Sequence, residues 1–240
     1  MHALSIRFTN GCHGKIMDSL LNTDFLFPLR LTLQVASLAT LLSLITGTGA
    51  AYILARWNFP GRDLLDAILT LPLVMPPTVL GYYLLVFIGR RGILGQWLQE
   101  TFGISLMFTW KGAVLAAAVV SFPLVLKSAR AALEGVGANF ENAARTLGAG
   151  ELEVFFRISF PLAFRGILAG CMLAFARAMG EFGATLMVAG NLPGKTQTLS
   201  LAVYSAVQAG RDGLANMLVL VISVVCAGIL FITSKLLKPK

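Results

Sequence analysis

Arg177 and Glu181 stand four residues apart inside a long apolar run. On a helix that spacing puts both on one face, where the charges can pair, although acid after base is the less favourable order. Ionisable groups among apolar neighbours are costly and face a bundle interior or an aqueous cavity. They mark either a charged pathway or a buried structural ion pair whose breaking strands a charge. A second group lies upstream, where the run Leu64 to Ile88 holds Pro72, Pro76 and Pro77, with Thr78 following. Proline lacks the backbone donor and frees upstream carbonyls, which hydrocarbon tolerates only where protein or a water-filled cavity meets them. A pathway lining satisfies that demand, and so does a kinked helix packed against its neighbours.

The third group is polar. From Asn139 to Pro161 the chain reads as helix, glycine turn, helix. Phe140, Ala143, Ala144 and Leu147 recur at i, i+3, i+4 and i+7 and form one apolar stripe, while Glu141, Asn142 and Arg145 face the other way. Asn139 is placed to cap the first turn, and Gly148 to stop the helix. Glu151 to Ile158 then reads as a second short helix, halted before Pro161.

Other chemistry is weakly represented. Ala189 to Thr196 fits a relaxed Walker A pattern ending in Gly194-Lys195-Thr196. A phosphate-binding loop needs a strand before it and a helix N-terminus after it, whereas an apolar span precedes this one. Cys12 and His13, with His2 upstream, lack a fourth metal ligand. Cys171 and Cys226 lie in apolar runs and give no disulfide framework. The spans hold no His-Glu-x-x-His, serine-histidine pairing or metal cluster. Neither a catalytic residue, a metal nor a cofactor is expected, and the chain reads as a non-enzyme.

The elements that carry these groups belong to a membrane. Hydrophobic residues make up 57% of the 240 and charged residues 12%, more apolar surface than a globule of this size buries. The net charge of +8 comes from basic residues set singly between apolar runs, without the interleaved aromatic patch of a nucleic-acid reader, so no nucleic acid is expected. Residues 1 to 24 read as a tail without a cleavable leader, residues 25 to 235 as a transmembrane domain, and residues 236 to 240 as a second tail. Runs Leu31 to Ala55, Leu64 to Ile88, Gly112 to Leu126, Gly166 to Val188 and Leu214 to Ser234 predict an all-α membrane protein of about five spans surrounded by lipid. Gly89 to Lys111 is too polar to span, and Leu199 to Gln208 reads as re-entrant or interfacial. The fourth span opens on Gly166 and Gly170, a small-residue contact face. Five spans put the two termini on opposite sides, with the polar stretch 139 to 161 on the side of the C-terminus, and the positive-inside bias is small.

Glu141, Ala143, Ala144, Gly148, Phe155, Phe156, Ile158 and Pro161 fall in the order of the EAA loop of ABC importer permeases, and residues 134 to 161 resemble that loop. The family's glutamate directly precedes the alanines, where this chain has Asn142. The resemblance implies a type I importer fold and an ATPase-coupling role for Glu141, Asn142, Ala143, Ala144, Leu147 and Gly148 in the cytoplasm. Phe175 to Thr185, Ala189-Gly-Asn191 and Lys195 to Tyr204 are similar to the permeases of molybdate ABC importers, and sulfate permeases share the Arg-x-x-Gly-Glu-Phe-Gly part. That likeness implies a homodimeric molybdate permease of the inner membrane, working with a dimer of cassette ATP-binding subunits and a periplasmic molybdate-binding protein. ATP hydrolysis would then lie on the separate chain. Pro76, Pro77, Thr78, Arg177, Glu181 and Thr185 are the expected pathway or gate. The alternatives are a sulfate, thiosulfate or tungstate permease, or a carrier or channel that needs no ATPase.

Overall fold

Two interruptions, one at Met75-Pro76 and one at Gly180 to Phe182, decide how this chain crosses its membrane. The computed structural model describes residues 23 to 236, and every regular element among them is helical. In chain order these are α1 (Thr23–Arg56), α2 (Arg62–Val74), α3 (Pro77–Ile88), α4 (Ile93–Phe102), α5 (Trp110–Glu134) and α6 (Ala138–Thr146). There follow α7 (Glu151–Val154), a π-helical turn (Phe155–Ser159), α8 (Phe160–Met179), α9 (Gly183–Ala189), α10 (Leu199–Gln208) and α11 (Asp212–Leu236). Four stretches are long and apolar enough to cross a bilayer: Phe25–Arg56, Trp110–Glu134, Glu151–Met179 and Asp212–Ile232. α2 and α3 make a fifth if the pair, bent by 115°, counts as one span.

α1, α5 and α8 pack against one another around Leu54, Leu126, Leu133, Ile167 and Ala174. The alanines of α5 let the neighbouring backbones approach, and Ala113, Ala116, Ala117, Ala118 and Ala129 are all buried. The small-residue face at the head of α8 is used as its sequence predicts. A Cβ added at Gly170 would lie 2.7 Å from that of Ser128 on α5, and one at Gly166 would collide with Ala132. A second core joins α3, α5 and α9 through Leu80, Ala116, Val120, Ala184 and Val188. A third joins the start of α1 to α10 and α11 through Phe25, Leu199, Ala202 and Leu218.

Several predicted boundaries move. α1 begins at Thr23, eight residues before the expected Leu31, and carries Pro28 inside it. Residues 23 and 24 of the expected tail therefore open a helix; the remainder of that tail, with His2, Cys12 and His13, and most of the C-terminal tail lie outside the described residues. Pro161 does not halt the second helix. α7, the π turn and α8 run on as one rod from Glu151 to Met179, and the widened turn, with Phe160 N–H bonding to the Phe155 carbonyl, relieves the clash a proline ring makes with the carbonyl four residues back. That rod ends at Met179 rather than Val188, because the chain turns at Gly180 and starts α9 in a new direction. Asn139 lies inside α6, whose N-cap is Gly137. Gly148 does end the unit, with φ of 88°.

Candidate functional site

α6 is amphipathic, but the side it buries is the polar one. Glu141 is 2% exposed, whereas Phe140 is 63% and Leu147 88% exposed. The Glu141 carboxylate accepts from Arg56 Nη2 at 2.5 Å and from Ser159 Oγ at 2.7 Å, both on Oε1. The same Arg56 nitrogen donates to the Leu133 carbonyl at 2.8 Å, which brings the end of α5 into the cluster. A charged group is tolerated this far from solvent only when paired and hydrogen-bonded, and Glu141 has both kinds of partner.

A second polar layer lies further out. Arg145 grips Glu151 with two bonds of 2.7 and 3.1 Å and reaches Asn142 Oδ1 at 2.9 Å. The hydrogen bond to Glu151 holds the Arg145 guanidinium above its ordinary pKa, against a smaller opposing effect of burial. Tyr52 donates to Glu151 at 3.3 Å and rests its ring edge-on against Phe155, 4.8 Å between centroids. Asn142, Ala143, Leu147 and Gly148 stay exposed, and Ala144 is half-buried. A groove of 330 Å³ runs beside them, lined by Leu147, Gly148, Val154, Arg157 and Ile158.

The second predicted cluster is also assembled. Arg177 donates to Glu181 Oε2 at 2.7 Å, and the other carboxylate oxygen accepts the Ala184 N–H at 2.8 Å. Glu181 lies past the end of α8 rather than within it, so it both neutralises the arginine and satisfies an orphan amide in the first turn of α9. A Cβ added at Gly183 would lie 3.0 Å from Pro77 Cβ and 3.1 Å from Thr78 N. The two interruptions therefore meet, and Pro76, Pro77 and Thr78 abut the Arg177 to Thr185 segment. Pro76, Pro77 and Thr78 are exposed, Arg177 is one third exposed, and Glu181 and Thr185 are buried. Residues 76 and 77 being prolines, the carbonyls of Pro72 and Leu73 have no amide four residues on to receive.

The Walker-like stretch builds no phosphate cradle. The N–H groups of Lys195, Thr196 and Gln197 all converge on the Leu192 carbonyl, and helix α9 precedes the stretch. Gln197 instead joins Asn191 and Ser205 in a hydrogen-bonded set, with Gln197 to Asn191 at 3.0 Å and Asn191 to Ser205 at 2.7 Å, that pins this loop to α10.

Sequence reasoning missed Arg56, Ser159 and Tyr52. In the sequence Arg56 is one of the basic residues set singly between apolar runs, and its partner lies 85 residues away, beyond any local periodicity.

A family model for binding-protein-dependent transport system inner membrane components matches residues 39–238. The molybdenum transport system permease protein ModB of Escherichia coli (strain K12) is 51% identical over 202 residues, covering 83% of this chain and 88% of that protein. The sulfate transport system permease protein CysT of the same organism is 34% identical over 208 residues, covering 87% and 75%. Among solved structures, a chain of the inward-facing MetNI methionine ABC transporter superposes with a TM-score of 0.68 at 15% identity, covering 93% of this chain and 97% of that one.

Proposed function

The chain belongs to the family of binding-protein-dependent transport system inner membrane components, and from that premise we propose that it is the membrane-spanning subunit of an ATP-driven importer that carries molybdate into the cell. It is a multi-pass protein of the inner membrane. The molybdenum permease is the nearer of the two E. coli relatives by a wide margin of identity, which supports molybdate over sulfate.

The observation that carries the importer reading is the exposed apolar stripe of α6. A short helix anchored to the bundle by a buried carboxylate, with Phe140 and Leu147 turned outward beside a groove, is built to be covered by another protein. That partner is a cassette ATPase, and Asn142, Ala143, Ala144, Leu147 and Gly148 form the surface that receives it. A stand-alone carrier or channel has no use for such a helix. The end of the bundle that bears α6 is cytoplasmic, which leaves the N-terminus outside and the C-terminus inside.

A doubly charged oxyanion placed bare in hydrocarbon costs tens of kcal/mol, so it needs a polar path. Pro76, Pro77 and Thr78, meeting the Arg177 to Thr185 segment, contribute that path from one chain. The exposed large side chains of α2 and α3, among them Leu71, Val74, Tyr82 and Phe87, are covered by a second copy that completes it. A periplasmic binding protein delivers the molybdate. ATP-driven closure of the ATPase dimer moves α6, and the bundle shifts toward the state that α6 then prefers.

Reconstitution in proteoliposomes with the cognate ATPase and binding protein tests this. Labelled molybdate uptake that requires ATP, is blocked by tungstate and is spared by sulfate is expected. Uptake in the absence of the ATPase would overturn the importer reading, and equal competition by sulfate would overturn the substrate.

A further inference from the structure

The loop resemblance puts Glu141 on the surface that touches the ATPase; the geometry points elsewhere. We propose that Glu141 is a positioning residue, a buried carboxylate that ties α6 to α1 through Arg56 and to the head of α8 through Ser159, so that a displacement of α6 moves both spans at once. The proposal rests on the reading of α6 as the ATPase docking helix, and it assigns the transmission step rather than the docking step.

Three observations carry it. Glu141 is the buried residue of α6, and its Oε1 is shared by donors from two different elements, at 2.5 and 2.7 Å. Arg56 also holds the carbonyls of Leu133 and Val136, at 2.8 and 3.4 Å, so the last turn of α1, the end of α5, α6 and the head of α8 converge on one guanidinium and one carboxylate. Ser159, fully buried, closes the π turn. One extra residue in a helical turn rotates every later side chain by about 100°. The turn thus sets the direction in which Ser159 leaves the rod, and that direction is toward Glu141.

Such a joint behaves differently from a docking contact. A docking contact, once removed, weakens association with the ATPase. A joint, once loosened, leaves association and hydrolysis in place but lets α6 move without its spans. Charge-assisted hydrogen bonds in a low-dielectric setting are the strong kind, and a Gln in place of the Glu keeps the shape while removing the charge.

The test uses the full chain reconstituted with its ATPase and binding protein, and reads three quantities: ATPase association, ATP hydrolysis and molybdate moved per ATP. Glu141→Gln is expected to lower molybdate per ATP about tenfold, with association unchanged. Arg56→Gln should do the same, and the double variant should match Glu141→Gln alone, which already gives up both the Arg56 pair and the 3.8 Å pair with Arg145. Ser159→Ala, which leaves the ion pair intact, should lower the ratio by about threefold. An unchanged ratio in Glu141→Gln overturns the proposal, and so does a fall in association that accounts for the loss. If Glu141→Gln does not accumulate in the membrane, Ser159→Ala decides alone, and an unchanged ratio there sinks the joint. A wild-type chain that fails to bind the ATPase would defeat the docking reading instead, a result that none of the variant ratios can mimic.

Discussion

Glu181 uses both of its oxygens, one for the Arg177 guanidinium and one for the Ala184 amide. Its side chain is 1% exposed, so removing the arginine strands a buried carboxylate without its ion-pair partner. Arg177→Ala is therefore expected to destabilise the protein by about 3 kcal/mol, the low end for a broken buried pair because Arg177 keeps a third of its own surface in contact with solvent. Thermal unfolding in detergent reads this, and it should be accompanied by loss of uptake. This pair was legible in the sequence because its members are one helical turn apart. The Arg56 to Glu141 pair was not, because 85 residues separate them. The orientation of α6 was hidden for a different reason. An apolar stripe on a lone chain in water turns inward, but here Phe140 and Leu147 face out and the carboxylate goes in, as the docking role proposed for α6 requires.

The spans themselves were readable as apolar runs, and the small residues at the head of α8 predicted its contact with α5. Gly170→Leu forces a branched side chain into the 2.7 Å that separates an added Cβ from Ser128. The expected cost is about 1 to 3 kcal/mol, read as a lower melting temperature, whereas the same change at Gly49, where an added Cβ meets nothing within 4 Å, should cost little. Helix ends were harder to read, and always at residues with two possible meanings. Pro161 looked like a stop, yet it follows a widened turn. Gly180 looked like one more small residue in a span, yet there the chain changes direction because Glu181 folds back to receive the next helix.

For the molecule as a whole, the division is between surfaces that meet lipid and surfaces that meet protein. α11 lies at the margin of the bundle, with only 11% of its apolar window buried, against 67% for α5, so lipid or a second copy covers the rest. The exposed end of α6 meets water or a partner. Leu147→Asp puts a charge on a side chain that touches little within its own chain. The variant should fold and insert normally, while affinity for the ATPase falls by about tenfold or more, as for a central apolar anchor; co-purification and stimulated hydrolysis measure this. The meeting of the two interruptions has an electrical consequence. The carbonyls of Pro72 and Leu73, with no amide four residues on to donate to them, leave two partial negative charges at that bend. On the proposed function, a dianion entering a cell whose interior is negative climbs about 4.6 kcal/mol for every 100 mV, at about 2.3 per charge. On that reading this electrical work is part of what each ATP-driven cycle must supply.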